Sequence, residues 1–241
     1  MASAFPLNNI LFLDIETVPR QPDYNSLPDD WKKLWDLKST SLLKYREEET
    51  KESIYPRAGI YAEFGKIVCI SCGVIQGSGE QKKITLKSFY SDNEKILLAE
   101  FCEMLNKWSV GEPKFLCAHN GKEFDFPYLC RRMIINEVSI PSILNISGKK
   151  PWEVAHLDTM ELWKFGDYKS YTSLHLLARA LGIPTPKDDI DGSVVWEVYW
   201  KEKNVQRIVT YCQKDVITVA QVFLRIQGES LIKEANMEIK S

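Results

Sequence analysis

Residues 8–18 read NNILFLDIETV, and the organisation of the whole chain turns on them. Four consecutive apolar residues, Ile10 to Leu13, with no glycine and no proline before Pro19, predict a strand that runs through the core. Asp14 and Glu16 stand two residues apart at its far end, so the period of two sends both carboxylates from the same face. Burying two like charges is costly, and a divalent cation is the usual compensation. Equally, the strand could emerge into water at Asp14 and leave both groups hydrated.

The text on either side of this strand supplies the rest of a sheet. Residues 20–59 are a mixed charged and aromatic stretch with Pro22, Pro28 and Pro56, which predicts one or two inserted helices. Residues 66–76 and 82–90 are β-branched and bracket Gly77-Ser78-Gly79, as a hairpin would. Ser91 followed by Glu94 predicts a capping box opening a helix that runs to about Trp108. Residues 114–118 predict a short buried strand, 124–137 a helix with Pro127 in its first turn, and 155–158 a short strand. Three helices follow, at 173–181 ending on Gly182, at 193–201, and at 204–226 ending on Gly228. The expected fold class is α/β: a mixed sheet, an antiparallel meander continued by parallel strands, flanked by helices. With no internal repeat and no linker, one domain over residues 1–241, carrying a helical insertion at about 20–59, is the simplest organisation.

Composition narrows the classes of function. A chain of 241 residues, 44% hydrophobic and 27% charged, can bury a sizeable core and is neither disordered nor collagen-like. Lys plus Arg number 31 against 33 Asp plus Glu, so a broad basic face gripping duplex is not indicated, whereas a local basic groove is compatible. No apolar run reaches the roughly 18 residues of a membrane span, and Met-Ala-Ser-Ala-Phe-Pro lacks a signal-type core, so a cytoplasmic protein is expected. Six cysteines in mostly apolar stretches predict free thiols and no disulfide framework.

Two further acidic positions lie where sites collect. Asp125 follows a polar turn between a buried strand and a helix, just beyond a strand end. Taken alone, a helix cap is the commoner reason for an aspartate at such a place. Tyr211 and Asp215 are four apart on the last long helix, one turn from each other, beside an apolar stripe that includes Ile208, Val209, Val216, Val219 and Phe223. Singly, Asp215 reads as a boundary residue half in water. Taken together, Asp14, Glu16, Asp125 and Asp215, with Tyr211, are a ligand set suited to two magnesium-type ions, which in nucleases sit about 3.5–4 Å apart.

With these motifs in order, the sequence resembles the DEDD superfamily of 3′-to-5′ exonucleases on the ribonuclease-H-like fold. Asp14-Ile15-Glu16 stands as the first motif, Asn120-x-x-x-Phe124-Asp125 as the second and Tyr211-x-x-x-Asp215 as the third. The tyrosine places the chain in the tyrosine subclass, since none of His119, His156 and His175 occupies the competing position. The likeness is to the proofreading exonuclease domain of family B DNA polymerases, over about residues 8–228. The resemblance implies two Mg2+ or Mn2+ ions, with Asp14 bridging both, Glu16 and Asp215 completing the coordination of the first ion, and Asp125 holding the second ion mostly through water. It implies that Tyr211 orients a water, because a phenol with a pKa near about 10 is a poor base. Thr17, Asn120 and Phe124 are its substrate-side candidates. The implied activity is release of 5′-mononucleotides from the 3′ end of nucleic acid, DNA before RNA. An exoribonuclease and a silent nucleic-acid-binding module are the alternatives. With no room for palm, fingers or thumb, the exonuclease would be free-standing, meeting any polymerase or repair partner in trans.

The remaining features carry less. Trp31 and Trp35, with Lys32, Lys33 and Arg46, could stack on bases and grip phosphates of a single strand, although aromatics at spacing four commonly pack inward. Cys69-x-x-Cys72 has no second pair for zinc, and residues three apart on a strand face opposite sides. Asp158 can support the site from behind or cap a helix. Lys187, Asp188, Asp189 and Asp191 form a polar loop in which Lys187 could touch a phosphate or simply face water. Trp196, Tyr199 and Trp200 are expected to pack the penultimate helix.

Overall fold

The computed structural model describes residues 5–167, 171–184 and 190–240. Its centre is a six-stranded mixed sheet made of β1 (Ile10–Pro19), β2 (Gly65–Gln76), β3 (Lys83–Tyr90), β4 (Phe115–Ala118), β5 (Leu157–Asp158) and β6 (Met237–Lys240). The strand order is β5-β4-β1-β2-β3-β6. The first three strands form the expected antiparallel meander, and β4 and then β5 continue it in parallel on the other side of β1. A strand with no strong sequence signal, β6, lies parallel to β3. Seven helices flank the sheet among the described residues: α1 (Asp29–Leu43), α2 (Glu94–Trp108), α3 (Asp125–Ile135), α4 (Thr159–Lys164), α5 (Leu174–Ala180), α6 (Val195–Trp200) and α7 (Val205–Ile226).

Alternation along β1 sorts the core. Leu11, Leu13 and Ile15 pack with Leu97, Leu98 and Phe101 of α2 and with Phe126, Leu129 and Met133 of α3. Ile10 and Phe12 face the other way, onto Val216, Val219, Ala220 and Phe223 of α7. Asp14 and Glu16 have the parity of Ile10 and Phe12, so they continue the α7-facing side of the strand. There the pairing with β2 is irregular: Glu16 is opposite Cys69, and Thr17 is opposite Ile67. The extra residue on β2 is a β-bulge, the device that bends a strand and re-aims its side chains. Cys69 and Cys72 fall into opposite cores as expected, and all six cysteines are free thiols.

Several expectations are corrected. The cap of α2 is Asn93, whose side chain accepts from the N–H groups of Lys95 and Ile96; Ser91 Oγ accepts only from Asn93 N, at 3.1 Å. Glu94 serves tertiary structure, accepting from Ile67 N at 2.7 Å and pairing with the Arg132 guanidinium in a buried contact between α2 and α3. The insertion holds one α-helix, α1, and a 3-10 segment, Tyr55–Ile60. Its tryptophans do not form a base-stacking platform. Trp35 is 0% exposed, edge-on to Tyr55 and Phe64 with ring centroids 5.4 Å away from each, and its Nε1 donates to Lys51 O at 2.8 Å. Trp31 packs edge-on against Phe64, with the Arg20 guanidinium 3.9 Å above its ring. Burial of the largest side chains gives the insertion a small core of its own, which outweighs any gain from leaving them open to a ligand.

The insertion is fastened to the sheet by a close backbone approach. Tyr128 of α3 donates its hydroxyl to Gly59 O at 2.6 Å. A Cβ on Gly65 would lie 2.2 Å from that hydroxyl oxygen, and one on Gly59 would meet Val18 at 3.0 Å. Only glycine allows the 3-10 segment, β1 and α3 to meet this tightly.

Candidate active site

The carboxylates converge at the end of β1. The α7-facing side of the strand, apolar at Ile10 and Phe12, turns acidic at Asp14 and Glu16 just where the apolar stripe of α7 gives way to Asp215, Cys212 and Tyr211. Asp14, Glu16, Tyr211 and Asp215 line one cleft of about 670 Å³. Ligand atoms of Asp14, Glu16 and Cys212 lie within 4.8 Å of one another. Asp125, at the first turn of α3 and 4% exposed, sits behind the cleft, where the main chain of Ile15 hydrogen-bonds its carboxylate.

Electrostatics shows how close these groups are. Burial, followed by the charges of Glu16, Asp215 and Asp125, holds the Asp14 carboxyl well above the usual carboxylate range. Glu16, 7% exposed, is raised by burial and then by Asp215. Asp125 is pushed up to about 7, chiefly by burial, with Asp158 and Asp215 adding to it. Tyr211 is driven far above an ordinary phenol by burial and by Asp215, Glu16 and Asp14, and its side chain hydrogen-bonds Asp215. Such an assembly of like charges, taken out of water, calls for a cation.

The turn that leads to Asp125 is braced from below. Asp158 accepts from Asn120 N at 2.9 Å and Lys122 N at 3.1 Å, and caps α4 through Met160 N at 2.9 Å. Both roles considered for it, support and cap, are therefore filled at once. Asn120 adopts φ +62°, the left-handed conformation that asparagine tolerates best among non-glycine residues. It does not line the cleft, whereas Thr17 and Phe124 do. Lys187, Asp188 and Asp189 lie outside the described residues.

Three contributors escape sequence pattern. Cys212 Sγ lies 3.4 Å from Asp14 Oδ2 and donates towards it, yet in the sequence it is one more thiol in an apolar stretch. The insertion and the residue after it supply Ser53, Pro56, Arg57, Gly59 and Ile60 to the lining of the cleft. Trp196, expected only to pack, does pack against the α6–α7 core and also lines the cleft, as do Gly192 and Ser193. These lining residues come from loops and short helices whose relation to the strand end is purely tertiary.

Comparison with known proteins gives the same architecture a wider setting. The family B DNA polymerase from the hyperthermophilic archaeon Pyrobaculum calidifontis superposes with a TM-score of 0.51 at 16% identity, over 91% of this chain and 25% of the polymerase. That likeness is one of fold, the ribonuclease-H-like mixed sheet, and the chain spans about a quarter of the polymerase it matches. A family model described as a predicted 3′-5′ exonuclease related to the exonuclease domain of PolB matches residues 60–237. The matched stretch includes Asp125, Tyr211 and Asp215, while the Asp14 and Glu16 pair precedes it and is joined to them by the fold. Since the match takes in well over half of its length, the chain belongs to this family of exonucleases related to the polymerase domain.

Proposed function

We propose that the protein is a two-metal 3′-to-5′ exonuclease that removes 5′-mononucleotides from the end of a single or frayed DNA strand. The observation that carries this is the meeting of Asp14, Glu16, Asp125 and Asp215 from the end of one strand and from two helices, with Tyr211 one turn from Asp215. The donor set fits hard dications such as Mg2+ or Mn2+: carboxylate oxygens of like charge, several of them buried. Asp14, Glu16, Asp125 and Asp215 would hold the ions. When bound, the ions supply Lewis acidity toward the phosphoryl oxygens and raise the acidity of water.

The chain's own residues do the rest. Tyr211 stays protonated at neutral pH, because its neighbours are anionic and it is part-buried, so it acts as a fixed donor that orients the attacking water. Phe124 and Thr17 line the cleft, and in this reading they would meet the terminal nucleotide there. Hydrolysis forms one P–O bond from water and breaks the P–O3′ bond, and the departing O3′ takes up a proton. DNA is preferred to RNA here on the strength of the relationship to a DNA polymerase domain. A polymerase or repair complex would meet the enzyme in trans, in the cytoplasm, and no helix among the described residues is long and apolar enough to cross a membrane.

The test is release of mononucleotides from a 3′-labelled single strand in Mg2+ or Mn2+, with matched RNA alongside. Loss of release with chelator and with Asp14→Ala supports the proposal. Release that persists through both would overturn it, and tight 3′-end binding without release under any divalent ion would leave a binding module instead.

A further inference from the structure

The floor of the cleft is acidic, and a nucleic-acid strand is acidic too, so something on the walls must receive its phosphates. Among the described residues that line the cleft, Arg57 is the one basic side chain. It is exposed, and it forms neither an ion pair nor a side-chain hydrogen bond with the described residues. An arginine on the same cleft as Asp14, Glu16 and Asp215, yet not neutralised by them, is held apart from the acidic floor.

The segment that presents Arg57 is rigid. Arg57 N donates to Ile54 O at 2.9 Å, and Tyr61 N closes the turn on Ala58 O at 3.1 Å. Tyr55 beneath it is 0% exposed against Trp35, and Gly59, two residues on, is pinned to Tyr128 of α3 and to β1. The insertion thus fixes the backbone that carries Arg57 relative to the strand that carries Asp14 and to the helix that carries Asp125. An arginine carried on a fixed backbone can reach a phosphate with its planar fork and engage two oxygens at once. Ile60 and Phe124, lining the same cleft, offer apolar surface to the adjoining sugar and base.

We propose that Arg57 clamps one backbone phosphate of the entering strand, on the 5′ side of the linkage that is cut, and that this is what the insertion at 20–59 contributes to function. The inference rests on the nuclease reading of the same cleft and adds to it a single-stranded substrate gripped upstream of the reacting bond.

The experiment uses the Asp14→Asn protein as a background without turnover and measures binding of a 5′-fluorescein ten-nucleotide single strand over a range of salt. Adding Arg57→Ala is expected to make the slope of log K against log salt shallower by about 0.7, the value for one single-strand phosphate contact, with affinity several-fold lower. A neutral methylphosphonate is then placed at each of the three 3′-terminal linkages in turn. At one of them the background protein should lose several-fold in affinity, and the protein that also lacks Arg57 should lose none there. Arg57→Lys should keep the slope. Identical slopes and identical responses at every linkage would overturn the proposal, and if the wild-type protein trims the strand in parallel, the phosphate clamp alone falls. A wild-type protein that neither trims nor binds removes the nuclease reading and the clamp with it.

Discussion

Cys212 places its thiol 3.4 Å from Oδ2 of Asp14 and 3.4 Å from the carbonyl oxygen of the same residue, tying α7 to the carboxylate at the end of β1. A thiol is a weak donor, worth about 0.5–1 kcal/mol here, and its effect is to hold one carboxylate orientation. Cys212→Ser keeps a donor and should leave Mn2+ affinity nearly unchanged. Cys212→Val keeps the bulk without the donor and should weaken Mn2+ binding roughly two- to fivefold, by the same energy. Calorimetric titration decides it, and equal affinities for the two variants would show that the contact is incidental.

Asp14 is expected to set stability against activity. Its carboxyl is raised by burial and by three like-charged neighbours, so in metal-free buffer it costs the fold free energy. Asp14→Asn should therefore raise the melting temperature in chelator, by about 1 kcal/mol of stability, while lowering turnover at least about 100-fold. Thermal scans in chelator beside nuclease assays in Mg2+ would show both; a variant destabilised without metal contradicts the account.

The same carboxyls fix the sign of the pH dependence. An unfolded aspartate titrates near about 3.9, whereas folded Asp125 titrates at about 7 because it is buried. Between those values the folded protein holds more protons than the unfolded chain, so metal-free stability should fall as pH rises from about 4 to 7, by at most about 1.4 kcal/mol per pH unit for each such carboxyl. Below that window the penalty is absent. Asp125→Asn should flatten the slope, and saturating Mg2+ should reverse it, since ions bind the deprotonated set and release protons. Melting curves from pH 4.5 to 8, with and without the ion, are the measurement.

Asp158 is predicted to matter without touching substrate. It receives N–H donors from Asn120, Lys122 and Met160. Asp158→Ala strands these buried donors and should cost about 1–3 kcal/mol, the range for unsatisfied buried groups. Because the braced turn runs directly into Asp125, Mn2+ affinity should fall as well, and Asp158→Asn should recover part of both losses. Chemical denaturation and metal titration of the pair check this.

The two tryptophans of the insertion should behave differently. Trp35→Ala removes the centre of the local core and should cost about 3–5 kcal/mol. Trp31→Ala, half-buried at the rim, should cost clearly less. Neither should act by removing a base-stacking surface, so single-strand affinity should track folding of the insertion rather than the count of tryptophans. Urea unfolding of each variant, beside strand binding, separates the two effects.

The central strand and the last helix were legible in the sequence because each carries its own periodicity. Four apolar residues and two carboxylates in β1, and the stripe with Tyr211 and Asp215 in α7, are local patterns, and the meander follows from a glycine turn. Their meeting was legible only from the motifs taken together and their resemblance to a known family; in the structure, the parity of Ile10 and Phe12 against α7 turns Asp14 and Glu16 toward that helix. The cap of α2 was misplaced because Glu94 fits a capping pattern but is drawn away by Arg132. Arg57 and Cys212 could not be found from pattern, since a charge in an inserted turn and a thiol in an apolar helix have many ordinary explanations. The strand β6 is four residues long, and four residues carry too little alternation to stand out.

That short strand has a consequence for solution behaviour. Met237–Lys240 lies along Ile84 to Lys87 of β3, and its own outward side chains include Glu238 and Lys240, both exposed. It covers the edge of β3, and the edge it leaves in exchange is only four residues long and carries the charges of Glu238 and Lys240. Trimming these residues would uncover a sticky border, and light scattering should then register self-association at concentrations where the intact chain stays dispersed.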